Sequence, residues 1–309
     1  MTDTTRTTEI IKEEIEGIGD EIEGIGKVLE GEIADEYLDI QPLAAFPTPI
    51  EHIIVIVFEN KEVSTVLDQG PYFKSLSTIY GFAENYFAVC HPSAPNYLAM
   101  TSGKPWQCGS NSIHTYQTLN VGDLLTRKSL TWYGFFESMP IPCDRNSSGL
   151  YVSRHNPFIF YADIVDNPTR CKTHVVPLTV WNNLVSQNKI PNFSFIVPNL
   201  NNSGHDTNVA YADRWLKSFL SPLLTKPWFS KSVFFIVFDE GQTNKGFNGL
   251  TGGHIYMSSV SPYSKGLRKK GNVTHYNLLT TIEWLFNLDS CGNFDNPVQY
   301  PPMKVLFKF

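Results

Sequence analysis

The sequence is short of several things, and each shortage excludes something. No stretch approaches the roughly 20 consecutive apolar residues of a membrane-spanning helix. Cysteine is sparse: Cys90, Cys108, Cys143, Cys171 and Cys291 are an odd set with no CxxC pair, which disfavours a zinc finger and leaves room for one or two disulfides. Charged residues are only 17% against 42% hydrophobic ones, the balance of a folded, enzyme-sized body rather than a disordered chain. The 309 residues are enough for one large domain or two small ones. No basic run is interleaved with aromatics, so no nucleic-acid platform is expected. No GxSxG elbow occurs, which sets aside an α/β-hydrolase triad. The start, MTDTTRTTEIIKEEIEG, lacks the basic residues and apolar run of a secretory signal. A cytoplasmic location is therefore expected over a secreted one. The sequons at Asn146, Asn192, Asn201 and Asn272 would matter only on the secretory route.

What charge there is lies unevenly. The net charge is −6, yet residues 1–40 hold 13 acidic and 3 basic residues, leaving 17 and 21 for the rest. The body is mildly positive, which suits an anionic substrate or simply reflects surface lysines. In the acidic tail, Ile11, Ile15, Ile18, Ile22, Ile25, Leu29 and Ile33 follow a near-heptad spacing. Gly17, Gly19, Gly24, Gly26 and Gly31 interrupt it, each costing about 1 kcal/mol of helix stability relative to Ala. Two readings stand: a weak helix for homo-oligomerisation, or a frayed amphipathic tail. QPLAAFPTPI at 41–50 reads as a linker, giving an organisation of tail and linker over 1–45 and a catalytic domain over 46–309.

Beyond the linker, short apolar runs alternate with helical patterns. HIIVIVF at 52–58, FSFIV at 193–197 and VFFIVF at 233–238 are nearly continuous apolar runs, as in strands covered on both faces. Residues 130–136 and 255–260 are weaker strand candidates. Helical spacing fits about 71–80, 95–102, 119–128, 178–188, 208–224 and 275–287. This predicts an α/β fold with a largely parallel central sheet and helices on both faces. Ligands of such sheets sit beyond the carboxyl ends of the strands.

The three strong strands all run into polar clusters: Glu59-Asn60, then PNLNNSGHD at 198–206, then Asp239-Glu240-Gly241. One such cluster would be ordinary turn chemistry; three at one sheet edge would converge. Glu59, Asn60, Asp239 and Glu240 offer three carboxylates and an amide oxygen, the donors a divalent cation takes, and His205 and His254 add imidazoles.

HPSAPNY at 91–97 sits before a helical segment, with Pro95 placed for its first turn. Ser93 reads as a helix cap, and also as a nucleophile, since a helix start offers free N–H groups to a phosphate. Ala94 and Asn96 are the expected backbone donors, with the Asn96 side chain adding one more. A serine needs a base or a metal to activate it, and the neighbouring strand ends would supply the metal.

In sequence order, ENK at 59–61, HPSAPNYLAMTSG at 91–103, PNLNNSGHD at 198–206, FDEG at 238–241 and GGH at 252–254 resemble the phosphoesterase family. That family includes fungal acid phosphatases and phospholipase C-type enzymes, within the alkaline phosphatase superfamily. The resemblance covers about residues 50–290 and implies an alkaline phosphatase-like fold. It implies Ser93 as nucleophile, Asn96 as a phosphate-oxygen binder and His205 as a catalytic histidine. Glu59, Asn60, Asp239 and Glu240 would hold the metal. His155, Asp206 and His254 would bind substrate, and His91 would stand behind them. Two-metal relatives carry an aspartate where this chain has Asn201, so one divalent cation is expected before two, its identity open. The expected function is metal-dependent hydrolysis of phosphate monoesters through a phosphoserine. Phospholipase C-type diester cleavage is the alternative, and a non-catalytic binding protein with a self-assembling tail is the rival of another class.

Overall fold

The computed structural model describes residues 47–309. The expected tail and linker, with the assembly role considered for them, lie outside the described residues. The strands are β1 (His52–Phe58), β2 (Gly81–Ala83), β3 (Tyr86–Phe87), β4 (Trp132–Phe136), β5 (Val175–Pro177), β6 (Phe193–Val197), β7 (Ser232–Phe238), β8 (His254–Ile255), β9 (Met257–Val260), β10 (Arg268–Lys269) and β11 (Val273–Thr274). The main sheet has the order β10-β2-β9-β7-β1-β6-β4-β5, and β11-β3-β8 form a smaller one. From β7 through β1, β6 and β4 to β5 every pairing is parallel; β9 joins β7 antiparallel. The expected α/β fold with a mostly parallel central sheet is therefore observed.

β1 lies at the centre because almost nothing in it tolerates water. Ile53 through Phe58 are all buried, as are all residues of β6 and β7. Such strands need cover on both faces, and the aromatic contacts show where it comes from. Phe58 packs edge-on against Phe73 and Trp215, which belong to the helices Pro71–Ile79 and Val209–Leu220. Phe195, level with Val55, points the other way, onto Tyr97 of the helix Ser93–Ser102 and onto Phe158. Alternate residues of a strand face opposite sides, so helices cover both faces.

Two side chains fix this arrangement away from the carboxyl edge. Asn192 ties the lower ends of three strands: its Oδ1 accepts from Thr131 N (2.9 Å) and Oγ1 (3.0 Å), and its Nδ2 donates to Glu51 O (3.1 Å). That sequon asparagine is thus buried and spent on structure. Asp213 accepts from the free N–H groups of Tyr72 and Phe73 at 2.9 Å each, joining two helices across the sheet face. Disulfides link Cys90 to Cys108 and Cys143 to Cys171, leaving Cys291 as a buried thiol.

One expected strand, 255–260, breaks in two. Tyr256 turns into the core, its hydroxyl donating to Phe73 O (2.7 Å), so β8 serves the small sheet and β9 the large one. Among the described residues no helix is long and apolar enough to cross a membrane.

Replacing Asp213 by Ala leaves two helix N–H groups without their acceptor. Urea unfolding should show a loss of about 2 kcal/mol; an unchanged midpoint would mean that the carboxylate holds nothing.

Candidate active site

Because β1 and β7 pair in register, the residues that follow them stand side by side. Phe58 lies level with Phe238, and Asp239 N donates back to Phe58 O (2.9 Å). Glu59, Asp239 and Glu240 thereby come together with their carboxylates buried. The loop after β6 joins the same edge, since Glu59 N donates to Ser203 O (3.1 Å). Asn60 takes a left-handed backbone (φ 44°), a conformation asparagine tolerates better than most residues. Its N–H donates to Asp239 Oδ1 (3.1 Å).

The helix Ser93–Ser102 delivers its first residue to these acids. Ser93 is not the cap expected of it: Pro92 occupies that position, and the serine is the first helical residue. Its hydroxyl lies 2.9 Å from Glu240 Oε1 and 3.2 Å from Glu59 Oε2. Tyr97, one turn on, donates its hydroxyl to Glu59 Oε1, and His155 Nδ1 stands 3.2 Å from that same oxygen. The His155 ring stacks on Tyr97 at 5.5 Å, and His205 lies 5.8 Å further out. His91 Nδ1 bonds to Glu240 Oε2.

Four expectations meet a different arrangement. Asn96 is fully buried and its amide is already occupied: Oδ1 accepts from Val89 N (2.9 Å), and Nδ2 donates to Cys90 O (2.6 Å) and Pro92 O (3.3 Å). It shapes the turn that presents Ser93 rather than facing outward. Ala94 N, an expected phosphate donor, bonds to Asn111 Oδ1 (3.0 Å). Asp206 is turned to His205, with its Oδ1 2.6 Å from Nδ1. His254 is drawn away by its strand: it pairs across from Phe87, stacks on that ring at 4.8 Å, and directs Nε2 to Glu84 O (2.9 Å). Its backbone N–H donates to Glu62 Oε2 (3.1 Å), a carboxylate outside the expected set. Glu59, Asn60, Asp239, Glu240, Ser93, His155 and His205 are brought together.

Tyr97 and Asn111 were not foreseen. Tyr97 was open to inference, since the fourth residue after Ser93 shares its helix face. Asn111 carries no local signal; the Cys90–Cys108 link and a loop bring it to the helix start.

The electrostatics follow from burial. Burial pushes the Glu59 carboxyl up to about 7, against the hydrogen bond from Tyr97. Burial first, then the charges of Glu59 and Glu240, holds Asp239 well above the carboxylate range. Glu240 is raised by burial, and the bonds from His91 and Ser93 oppose the shift. Lys61 is the cation nearby, but its Nζ donates to Gly204 O (3.0 Å). Burial, then the charge of Arg154, keeps His155 well below its ordinary range, so its ring is neutral.

Asn60 Oδ1 and Asp239 Oδ2 are buried with no hydrogen-bond partner. Free lone pairs beside buried acids make an oxygen-rich donor set that fits a divalent cation. The Ser93 hydroxyl stands between two of the three carboxylates.

Residues 64–289 match the model of the Phosphoesterase family. A probable acid phosphatase of Kluyveromyces lactis is 32% identical over 85% of this chain and 63% of that protein. A phosphatidylinositol-3-phosphatase of Mycobacterium tuberculosis is 26% identical over 82% of each chain. The chain spans about half to two thirds of the length of the fungal phosphatases it matches. In fold it is similar to an alkaline phosphatase superfamily protein from Vibrio parahaemolyticus, with a TM-score of 0.58 at 13% identity, over 83% of this chain and 74% of that one.

Replacing Asn96 by Ala should cost about 2–4 kcal/mol of unfolding free energy, because it strands buried backbone groups worth about 1–3 kcal/mol each. Lost activity with an unchanged urea midpoint would instead place Asn96 against substrate.

Proposed function

The chain belongs to the phosphoesterase family, and from that premise we propose that it hydrolyses phosphate monoesters through a phosphoserine at Ser93. One observation carries the reading: the Ser93 hydroxyl is buried at a helix start between Glu240 Oε1 (2.9 Å) and Glu59 Oε2 (3.2 Å). Glu59, Asn60, Asp239 and Glu240 would hold one divalent cation. Bound there, such a cation would favour the deprotonated serine and offset the charge of phosphoryl oxygens.

The chain's own residues do the rest. Ser93 Oγ attacks phosphorus, the ester oxygen leaves as the alcohol, and water then cleaves the phosphoserine. Tyr97 and His155 hold Glu59 through one oxygen, leaving the other toward Ser93. Asp206 fixes the proton of His205 on Nδ1, which leaves Nε2 to work on substrate. From there it can pass a proton to the leaving oxygen. A non-catalytic role is disfavoured because Ser93 and His155 both touch the buried acids. Two disulfides suit an oxidising compartment, so we propose one in place of the expected cytoplasm.

With p-nitrophenyl phosphate and its bis ester, the monoester should turn over faster; the reverse order would establish a diesterase. Ser93→Ala should lower kcat on either by about three orders of magnitude or more, and full activity would overturn the assignment.

The raised carboxyls also set a pH dependence. Between the ordinary Glu value of 4.5 and about 7, the cation-free folded chain keeps the Glu59 proton that the unfolded chain sheds. Stability should therefore fall as pH rises through that window. Cation binding displaces the proton, so affinity should rise with pH and added Mg or Zn should reverse the fall. Thermal melts with and without chelator check this; curves that coincide at every pH would remove the cation.

A further inference from the structure

A second group of ligating side chains lies at the far end of the helix His275–Phe286. That helix begins at the active site, where His275 Nε2 meets Asp239 O at 2.6 Å. Its 12 residues put Glu283 more than two turns away from that contact. There Glu283, Cys291 and Asp295 each offer a ligand atom, all within 4.8 Å of one another and all on buried residues.

The loop that follows the helix is built around Asp295. Its carboxylate accepts from Ser290 Oγ (2.9 Å), from Asn293 N (2.7 Å) and from Cys291 N. Those bonds explain Asp295. They do not explain Glu283, which is 6% exposed and whose Oε1 is buried with no hydrogen-bond partner. Nor do they explain why a thiol stands beside two carboxyls. Glu283 and Ser290 also line a cavity of about 500 Å³, together with Trp284, Leu288 and Pro302. That opening gives an entry path and room for water.

We propose that Glu283, Cys291 and Asp295 form a structural binding site for a zinc-class divalent ion. One thiolate and two carboxylates are a borderline-soft set, which selects zinc or cobalt over magnesium or calcium. Water from the cavity would complete four-coordination. Without the ion, burial and then the hydrogen bond with Asp295 push Glu283 up to about 10, and burial also raises the thiol. Binding therefore sends the Glu283 and Cys291 protons to solvent, and affinity climbs with pH. The ion would clamp the loop onto the helix whose other end holds Asp239.

Cys291 is the chain's thiol outside the two disulfides, so the site has a signature that an oxygen-rich active site lacks. Co²⁺ titrated into the chelator-treated full chain should produce a sulfur-to-cobalt charge-transfer band in the near ultraviolet that Zn²⁺ reverses. The band should persist in Asp239→Asn and vanish in Cys291→Ser. Glu283→Gln keeps the shape of the protonated acid, so it should fold normally yet bind Co²⁺ at least about tenfold more weakly, the scale on which even outer-shell changes act. No band in the wild type, a band surviving Cys291→Ser, or unchanged affinity in folded Glu283→Gln would each overturn the proposal. The group would then be a carboxyl pair sharing a proton.

Discussion

Three carboxylates buried at the ends of two paired strands are the constraint on which the site depends. Glu59 and Asp239 are wholly inaccessible and Glu240 nearly so. Taking one charge out of water costs several kcal/mol unless something opposite replaces the water. Among the described residues no arginine pairs with these acids, and Lys61 spends its ammonium on a carbonyl. The donors that reach the acids come instead from Ser93, Tyr97, His91 and the Asn60 N–H. They hold some of the lone pairs in place and leave others unspent. Such an arrangement stabilises nothing by itself. It makes sense as a cradle whose charge is balanced when a cation and a phosphate arrive together.

A cradle of like charges needs a stiff frame, and the rest of the fold supplies one. The full-length register of β1 on β7 sets Glu59 beside Asp239, and a slip of one residue would turn them to opposite faces. The helix bearing Ser93 is fixed at its start by the buried Asn96 amide, by Asn111 and by the Cys90–Cys108 link. Asn96 therefore acts on Ser93 without facing substrate. A residue can be needed for a nucleophile because it shapes the turn that carries it.

This division also explains what could be read from the sequence. HIIVIVF, FSFIV and VFFIVF announced their strands because burial on both faces leaves almost no polar residue, His52 and Ser194 apart. The acids at their ends followed at once, since an abrupt change from apolar to acidic marks a strand's exit. Side-chain direction off the strands was not legible. His254 follows two glycines as expected, yet it opens a strand whose partner is Phe87, and cross-strand pairing takes its ring. Asp206 turned to its own neighbour, His205. Tyr256 split a predicted strand because one hydroxyl found the carbonyl of Phe73. In each case a tertiary partner, far away in sequence or simply nearer, decided the outcome.

The same reasoning bears on how many cations the site would take. The carboxylates gather at the ends of β1 and β7, where two of them meet the Ser93 hydroxyl. Next to Glu59 stands His155, and the rings of His155 and His205 are 5.8 Å apart. A second cation there would need its own carboxylate, and at the position the resemblance singles out the chain has Asn201. Its backbone carbonyl holds Thr207 Oγ1 at 2.6 Å, so the residue shapes the loop whatever its side chain does. Glu59 is the acid that His155 touches, and it already belongs to the first set. His155 is held neutral by burial, and the Nδ1 of His205 is taken up by Asp206. Under the proposed function, the site as built therefore asks for one cation, held by the acids, before a second.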